Sequence, residues 1–472
     1  MDTKKFVLSK SKDIASWYND IVLKAELADY APVKGCMVIR PYGYAIWEAI
    51  QIYLDQLIKN KGVKNAYFPM FIPEDFLNKE KEHVKGFSPE LAVVTHGGGQ
   101  KLKEKLILRP TSETVMYYMY QKWTNSWRQL PILINQWCNV VRWEKRTYMF
   151  LRTTEFLWQE GHCAHLTHQE SQDQVIWALE AYQKTYNHLL AMYGISGVKS
   201  ESEKFAGAGK SYTFEILMPN GKALQACTSH DLGQNFAKAF DWTVADKDGK
   251  NTYPWQNSWG LSTRSIGGLI MVQSDDDGLI LPPNVAPIQV IIVPIPGQKL
   301  DSYLKNITDK LVGLRYLIDQ DENETAGFKF NKWEIKGVPI RLEIGQKEAN
   351  QNQVTLYRRD TKQKQTVSLD NLSSEIEKIL KDIQTNLFEK HKKFTQDNTH
   401  TVDSYDQFKK IMSTTKGFIS AFWCQDPTCE AQIKADTKAT TRCLPIDAKK
   451  ENGVCVHCGK PASHRWLFGQ SY

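Results

Sequence analysis

The stretch VVRWEKRTYMFLRTTEFLWQEGH (Val140–His162) decides the fold prediction. It begins as a strand that leads into an Arg-x-Glu pair, Arg142 and Glu144. A basic loop follows, and a second strand returns with Phe156 and Glu160 four residues apart. Taken alone, the Arg-Glu pair would be a surface ion pair and Phe156 would belong to a core. The stretch therefore gains its meaning from the segments around it.

The composition is typical of a globular protein. The chain has 472 residues, of which 42% are hydrophobic and 24% charged, and this balance excludes a largely disordered protein. The longest apolar stretch, Val285–Gly297, is interrupted by prolines and is too short to span a bilayer. The first residues lack the apolar core of a secretory signal. We therefore expect no membrane segment and a cytoplasmic location, and the net charge of +7 suits a polyanionic partner.

Three domains are predicted, in line with about 150 residues per domain. The Pro282-Pro283 pair ends a dense first region, and alternating strands and helices then indicate a compact α/β module. Its last helix has Ile376, Leu380, Ile383 and Leu387 at helical spacing. Residues 391–402 would continue that helix or form a linker. We place the domains at 1–283, 284–395 and 396–472.

Four cysteines of the last domain have the spacing of a metal site: Cys424, Cys429, Cys455 and Cys458. Four thiolates suit tetrahedral zinc in a structural role, because they leave no open position for a substrate. Disulfides are the alternative, but a cytosolic protein keeps its thiols reduced. We also expect little hydrophobic core in so small a unit.

Further motifs give the hairpin its context. RPTSETVMY (Arg109–Tyr117) precedes it, and ALQACTSHDLGQNF (Ala223–Phe236) and NSWGLSTRSIGG (Asn257–Gly268) follow. In this order the segments resemble the signature motifs of class II aminoacyl-tRNA synthetases, and in detail prolyl-tRNA synthetases of the archaeal and eukaryotic type. Motif 1 is matched by Gly62–Phe71, motif 2 by the hairpin and motif 3 by Gly260–Arg264. The TSE, QACTSH and FLWQEGH runs are the ones that point to proline.

The resemblance implies an α/β multidomain fold. It consists of a class II catalytic domain (α+β) on an antiparallel sheet, an α/β anticodon-binding domain and a small zinc-binding α+β domain. Motif 1 in this superfamily implies a homodimer. The implied activity is ATP-dependent attachment of L-proline to tRNA(Pro) through a prolyl-adenylate, with Mg²⁺ bridging the phosphates.

Site residues are carried over by matching motif positions. Arg142, Arg264 and Glu144 would be catalytic, because the attacking carboxylate is already an anion and catalysis can rest on positioning and charge neutralisation. The expected ATP-binding residues are Arg142, Glu144, Arg152, Phe156, Gln225, Thr228 and Arg264. The expected proline-binding residues are Thr111, Glu113, Arg142, Trp158, Glu160, His162 and His230. The alternative for Glu113 and His230 is a buried hydrogen-bonded pair without a ligand.

Two expectations concern residues outside the catalytic motifs. Glu334, Lys336 and Arg341 would contact anticodon bases or phosphates, whereas Trp333 could stack a base or simply pack in the core. In similar proteins the terminal tyrosine folds against the enzyme body, so Tyr472 is expected to dock near the active site.

The chain departs from the family pattern at three places. The motif 2 loop (Lys145–Leu151) is one residue short, Thr154 stands where many relatives have arginine, and Cys227 replaces a small residue. The roughly hundred residues between motifs 2 and 3 leave no room for a hydrolytic editing insertion. We therefore expect alanine or cysteine to be attached at a detectable rate and cleared, if at all, by a separate trans-editing deacylase.

Rival interpretations are another class IIa synthetase, a catalytically silent tRNA-binding paralogue, and a zinc-bearing nucleic-acid module with a scaffold half. The TSE and FLWQEGH runs argue against the first. Retention of Arg142, Glu144, Phe156 and Arg264 argues against the second, because a binding protein has no need of all four. The third explains too little of the chain.

Overall fold

The computed structural model of the chain describes residues 7–79 and 91–472. No helix within these ranges is long and apolar enough to cross a membrane. Its α-helices are α1 (Ile14–Lys24), α2 (Pro41–Asn60), α3 (Glu74–Lys79), α4 (Glu113–Trp123), α5 (His168–Lys184), α6 (Asn235–Ala239), α7 (Arg264–Gln273), α8 (Asp301–Asp309), α9 (Ala326–Ile335), α10 (Gln346–Asn350), α11 (Leu372–Asp397), α12 (Tyr405–Ser413) and α13 (Pro427–Thr437).

An eleven-stranded sheet forms the centre of the protein. The strands of the first part of the chain are β1 (Ala28–Tyr30), β2 (Met37–Ile39), β3 (Lys64–Asn65), β4 (Phe71–Pro73), β5 (Ala92–Gly97), β6 (Gln100–Leu108), β7 (Ile132–Val141), β8 (Glu155–His165), β9 (Ile195–Val198), β10 (Lys210–Leu217), β11 (Ala223–Gly233), β12 (Val244–Ala245), β13 (Asn251–Thr252) and β14 (Trp255–Ser262). In the sheet β9, β10, β11, β14, β8 and β7 lie side by side, each antiparallel to its neighbour. The predicted antiparallel catalytic fold is confirmed, with the motif 2 hairpin (β7 and β8) and the motif 3 strand (β14) adjacent.

Helix α5 covers one face of this sheet. It begins with a capping box in which the Thr167 hydroxyl accepts from the Glu170 backbone and the Glu170 carboxylate accepts from that of Thr167, an arrangement that satisfies two otherwise unpaired N–H groups. Its buried residues include Val175, Leu179 and Tyr182, at the three- and four-residue spacing that places side chains on one helix face. This packing leaves the opposite face of the central strands available for the motif residues.

The predicted α/β module is a five-stranded sheet flanked by helices. Its strands are β15 (Val290–Pro294), β16 (Tyr316–Ile318), β17 (Ile340–Ile344), β18 (Gln353–Arg358) and β19 (Lys364–Ser368), in the order β16-β15-β17-β18-β19. Helix α11 buries Ile376, Leu380, Ile383 and Leu387, as the periodicity predicts. It continues to Asp397, so the first part of the polar stretch 391–402 extends this helix, whereas Thr399–Thr401 form a strand.

The last part of the chain joins the central sheet. Its strands are β20 (Thr399–Thr401), β21 (Phe418–Phe422), β22 (Ala439–Pro445), β23 (Gly453–Val454), β24 (Pro461–Ala462) and β25 (Arg465–Gln470). Strand β22 pairs with β9, with Leu444 opposite Val198 and Pro445 opposite Gly197. A Cβ at Gly197 would lie 2.5 Å from the Cys443 sulfur, so glycine permits this approach.

The expectation of little core in the last unit is wrong. Thirteen buried residues of this unit form one apolar cluster, which includes Phe408, Trp423, Ile433 and Phe468. The aromatic side chains explain the difference, since each buries a large apolar area. A metal site in this unit therefore adds to an existing core.

Candidate active site

The motif 2 hairpin places Arg142 at the mouth of a cavity. Val140 of β7 faces Phe156 of β8, and the Arg142 backbone N–H donates to the Thr154 carbonyl at 2.8 Å. The Arg142 Nε donates to the Pro110 carbonyl at 3.1 Å, and its guanidinium carbon lies 5.5 Å from the centre of the Phe156 ring. The backbone contacts thus fix the direction of this cation.

Arg264 reaches the same cavity from motif 3. It is the first residue of α7, directly after β14, and its Nε donates to the Leu151 carbonyl at 3.0 Å. Burial, together with the nearby cations Arg142 and Arg152, lowers the pKa of Arg264 to about 10. The group stays protonated at neutral pH, so two guanidinium cations from distant stretches face one space.

The cavity has a volume of about 190 Å³. The sequence-predicted residues that line it are Thr111, Glu113, Arg142, Phe156, Trp158, Glu160, His162, Gln225, Thr228, His230 and Arg264. These residues come from separate segments, and the fold brings them together as the motifs predict.

A buried network surrounds Glu160 at the inner end of the cavity. Its carboxylate accepts from the Ser112 backbone N–H at 3.1 Å and from the Gln136 amide at 2.6 Å, and it contacts the His162 Nε2 at 2.9 Å. Burial opposes the charged form, but these hydrogen bonds and the attraction to His162 lower the pKa of Glu160 to about 2. For His162, burial opposes the charged form, yet Glu113 and Glu160 raise its pKa.

Glu113 and His230 have different hydrogen-bond partners. The Thr111 hydroxyl donates to the Glu113 carboxylate, whereas the His230 Nδ1 contacts the Ser211 hydroxyl at 2.8 Å. Burial and nearby cations lower the pKa of His230 to about 3, so its ring is neutral at neutral pH. The alternative of a mutual Glu113–His230 pair is wrong, and both side chains border the cavity.

Arg152 and Glu144 do not line this cavity, but both border a smaller pocket together with Arg142 and Arg264. The Arg152 and Glu144 side chains are 3.7 Å apart, and Arg152 is 46% exposed. Arg152, Gln225 and Arg264 also line a smaller adjoining cavity that includes Tyr472. The Tyr472 backbone N–H donates to the Ala223 carbonyl at 3.0 Å, which confirms the predicted docking of this residue beside the site.

Four lining residues escaped the sequence analysis: Lys199, Glu203, Phe205 and Ser211. They belong to the segment that connects β9 to β10 and to the start of β10. This segment has no periodic pattern, and its one conspicuous feature is the glycine-rich run after Phe205. Long-range packing brings the segment to the cavity.

Comparison with known proteins identifies the family. Residues 94–273 match the class II tRNA synthetase core domain of the G, H, P, S and T enzymes, residues 289–379 an anticodon binding domain, and residues 405–472 the prolyl-tRNA synthetase C-terminal domain. "Proline--tRNA ligase 2" of Clostridioides difficile is 51% identical, with 99% of each chain covered.

The chain belongs to the prolyl-tRNA synthetase family. "Proline--tRNA ligase" of Alkaliphilus oremlandii is also 51% identical, over 98% of this chain and 96% of the relative. The crystal structure of prolyl-tRNA synthetase from Cryptosporidium parvum, complexed with halofuginone and AMPPNP, superposes with a TM-score of 0.95 at 40% identity, covering 99% of this chain and 97% of that one.

The residues predicted to contact the anticodon have partners within the chain. Glu334 accepts from the Tyr357 hydroxyl at 2.6 Å, and the Lys336 ammonium contacts the Glu26 carboxylate. Arg341 donates to Glu343 at 2.8 Å and is buried. Its guanidinium lies over the rings of Phe330 and Tyr357. The buried Trp333 donates to Asp319 at 2.6 Å, as its core-packing alternative predicts.

The four cysteines converge. Their sulfur atoms all lie within 4.8 Å of one another, and the Cys424 sulfur is 3.7 Å from those of Cys429 and Cys458. Sulfurs bound tetrahedrally to zinc at 2.3 Å are separated by ~3.8 Å. The donor set and its spacing therefore fit a zinc ion.

Proposed function

We propose that this protein joins L-proline to tRNA(Pro) at the expense of ATP. The observation that carries the proposal is the convergence of Arg142 and Arg264 on one cavity that Thr111, Glu113 and Glu160 also line. A cavity lined by both cationic and anionic groups suits a zwitterionic amino acid placed beside a nucleotide. The full-length relatives named as proline–tRNA ligases support the same substrate pair.

In the first step a carboxylate oxygen of proline attacks the α-phosphorus of ATP. The bond from that phosphorus to the bridging oxygen breaks, and pyrophosphate leaves. We assign Arg142 to the substrate carboxylate and the α-phosphate, because a guanidinium keeps its charge and binds oxyanions through two N–H groups. Arg264 would cover the adenine and reach the γ-phosphate, with Phe156 on the other adenine face. In the second step a hydroxyl of the tRNA 3′ end attacks the acyl carbon, and AMP leaves.

The remaining nucleotide contacts are assigned to residues of the cavity and of the two smaller pockets that Arg264 also lines. Arg152 would bind outer phosphates, and Gln225 and Thr228 the nucleoside. The Glu144 carboxylate fits either adenine's amino group or Mg²⁺, which prefers oxygen ligands. Bound Mg²⁺ would neutralise phosphate charge during the first step.

The proline ring and ammonium are assigned to the inner end. Glu113, held by Thr111, would receive the secondary ammonium, and Trp158 would wall the ring. His230 is neutral at neutral pH and would add a polar contact without repelling the ammonium. Glu160 and His162 would keep this end rigid through the 2.9 Å contact between the Glu160 carboxylate and the His162 Nε2.

Subtype and proofreading belong to the same proposal. The segment between β8 and β14 folds into sheet strands and helices of the catalytic core, which supports the archaeal and eukaryotic type without an editing insertion. An apolar pocket distinguishes one missing methylene by only ~1–3 kcal/mol, so alanine would be attached and left for a trans-editing deacylase. Purified alanyl-tRNA(Pro) should stay intact with this protein, and rapid enzyme-dependent deacylation would refute the idea.

We assign the Cys424, Cys429, Cys455 and Cys458 cluster to structural zinc. The purified protein should contain about one zinc per chain, and the Cys455→Ser variant should lose it, with a lower melting temperature. A metal-free protein with the same melting temperature as the zinc-loaded one would contradict the assignment.

Assembly and location complete the proposal. We propose a homodimer through the motif 1 face, where Ile52, Tyr67 and Phe71 are 72%, 71% and 46% exposed. A cytoplasmic location follows from the substrates. We keep the domain boundaries at residues 283 and 395, and we assign Glu334, Lys336 and Arg341 to the anticodon, in the region that matches an anticodon binding domain.

The decisive experiment is ATP–pyrophosphate exchange with each of the twenty amino acids. Proline should give the fastest exchange by a wide margin, with alanine and cysteine detectable at high concentration. Fastest exchange with threonine or histidine would favour another class IIa enzyme. Exchange with no amino acid would favour a tRNA-binding paralogue.

A further inference from the structure

Segment 199–205, which connects β9 to β10, forms one wall of the cavity. Lys199, Glu203 and Phe205 all line it. The Phe205 ring lies parallel to the His230 ring, with centroids 4.5 Å apart, and the Phe205 backbone N–H donates to the Ser211 hydroxyl at 2.9 Å. The position of this segment therefore determines how the Phe205 ring packs against the His230 ring.

Helix α13 holds this segment from behind. Glu430, the residue after Cys429, is only 6% exposed. The hydroxyl of Ser200 donates to its carboxylate at 2.9 Å, and the hydroxyl of Ser202 donates to its other oxygen. One turn further along the helix, the Lys434 ammonium lies 3.7 Å from the Glu203 carboxylate.

A third partner of Glu430 lies on β22 of the same terminal unit. The Thr441 hydroxyl donates to the same carboxylate and is 2.9 Å from the Ser200 hydroxyl. A buried carboxylate needs such donors, because an unsatisfied one is costly. Glu430 thus joins the cysteine-bearing helix, the adjoining strand and the cavity wall at a single point.

We propose that Glu430 is a positioning residue for proline recognition, acting through Ser200 and Ser202 on the wall that carries Phe205. This proposal rests on the proposed function, because it assigns the wall to the ring of the amino acid. Loosening the wall would enlarge the space beside His230 and weaken discrimination between proline and smaller amino acids.

The test compares the Ser200→Ala/Ser202→Ala double variant with Tyr405→Phe in the full-length, zinc-loaded protein. Both remove hydroxyl donors from a carboxylate of α13, since the Tyr405 hydroxyl donates to Asp436 at 2.8 Å, but only the first acts on Glu430 and the wall. We expect the double variant to raise the KM for proline about three- to tenfold, in line with the loss of one or two hydrogen bonds. Its kcat and its KM for ATP should change less than twofold, and its preference for proline over alanine should fall. Tyr405→Phe should leave all of these unchanged.

Two further readouts keep the outcomes distinct. Amide hydrogen exchange of residues 203–205 should be faster in the double variant and unchanged in Tyr405→Phe, whatever the activity. Glu430→Gln should retain most of the proline affinity, because the serine hydroxyls can reorient to its amide, whereas Glu430→Ala should not. Unchanged amide hydrogen exchange and KM in the double variant, or equal losses in Tyr405→Phe, would overturn the proposal. An unmodified protein with no proline-dependent exchange would instead refute the proposed function.

Discussion

The catalytic cavity and the five-stranded module both contain arginines, lysines and glutamates that the sequence singles out, but they use them differently. In the cavity, Arg142 and Arg264 are held by backbone carbonyls and keep donors directed toward one space. In the module, Lys336 and Arg341 each contact a carboxylate of the chain itself. Neutral backbone groups orient the two arginines of the cavity without offsetting their charge. The two cations of the module are paired with carboxylates, and a ligand would have to compete with those carboxylates.

The largest effect is expected for Arg142→Gln in the cavity. Proline-dependent ATP–pyrophosphate exchange should fall about 10²–10³-fold in kcat/KM, the range for removing one donor to a developing oxyanion. The control is Arg128→Gln, which changes an exposed arginine of the same domain and should leave exchange unchanged. A loss of less than tenfold in the Arg142 variant would show that the cavity does not depend on this cation.

A second test compares two carboxylates whose pKa values are both lowered to about 2, Glu160 in the cavity and Asp275 beside Arg359 of the module. For Glu160 the ordinary value is 4.5, so its charged form stabilises the folded state fully above pH 4.5, and this contribution is lost as the pH falls towards 2. The shift corresponds to roughly 3 kcal/mol.

Glu160→Gln and Asp275→Asn should therefore both flatten the fall in melting temperature between pH 4.5 and pH 2. Only Glu160→Gln should also weaken proline binding, as measured by calorimetry at pH 7. Equal effects on proline binding from the two variants would remove the distinction between the cavity and the module interface.

A smaller effect is expected for Lys336→Met in the module. If Lys336 contacts tRNA, the KM for tRNA should rise about ten- to hundredfold, the usual range for one hydrogen bond to a charged group, with adenylate formation intact. Glu26→Gln is the matched control, since it removes the partner of Lys336 within the chain. Should both variants raise the KM for tRNA equally, the Lys336–Glu26 contact would act by holding the two domains together.

The smallest effect is expected at Tyr472. Its ring stands edge-on to Tyr148, with centroids 5.8 Å apart, and an aromatic contact of this kind contributes about 0.5–1.5 kcal/mol. Deletion of Ser471 and Tyr472 should reduce aminoacylation about threefold, whereas Tyr472→Phe, which keeps the ring, should retain the unmodified rate. An unchanged rate after the deletion would show that docking has no role in catalysis.

The sequence predicted elements and residues with a local signature. The periodicity of α11, the hairpin around Arg142 and the paired cysteines are read from spacing, and family motifs supplied the cavity residues. The pairing of β22 with β9 was not predictable, because it joins residues about 250 positions apart. The sequence of neither strand indicates which strand it pairs with. Glu430 escaped for the same reason, since its donors lie in other segments.

Two guanidinium groups, those of Arg142 and Arg264, are proposed to bracket one nucleotide, and a crystal structure with a non-hydrolysable prolyl-adenylate mimic would test this arrangement. We expect Arg142 within hydrogen-bond distance of the phosphate and acyl oxygens, Arg264 against the adenine face opposite Phe156, and the proline ring beside His230. A structure in which the mimic binds while both arginine side chains extend into solvent would contradict it.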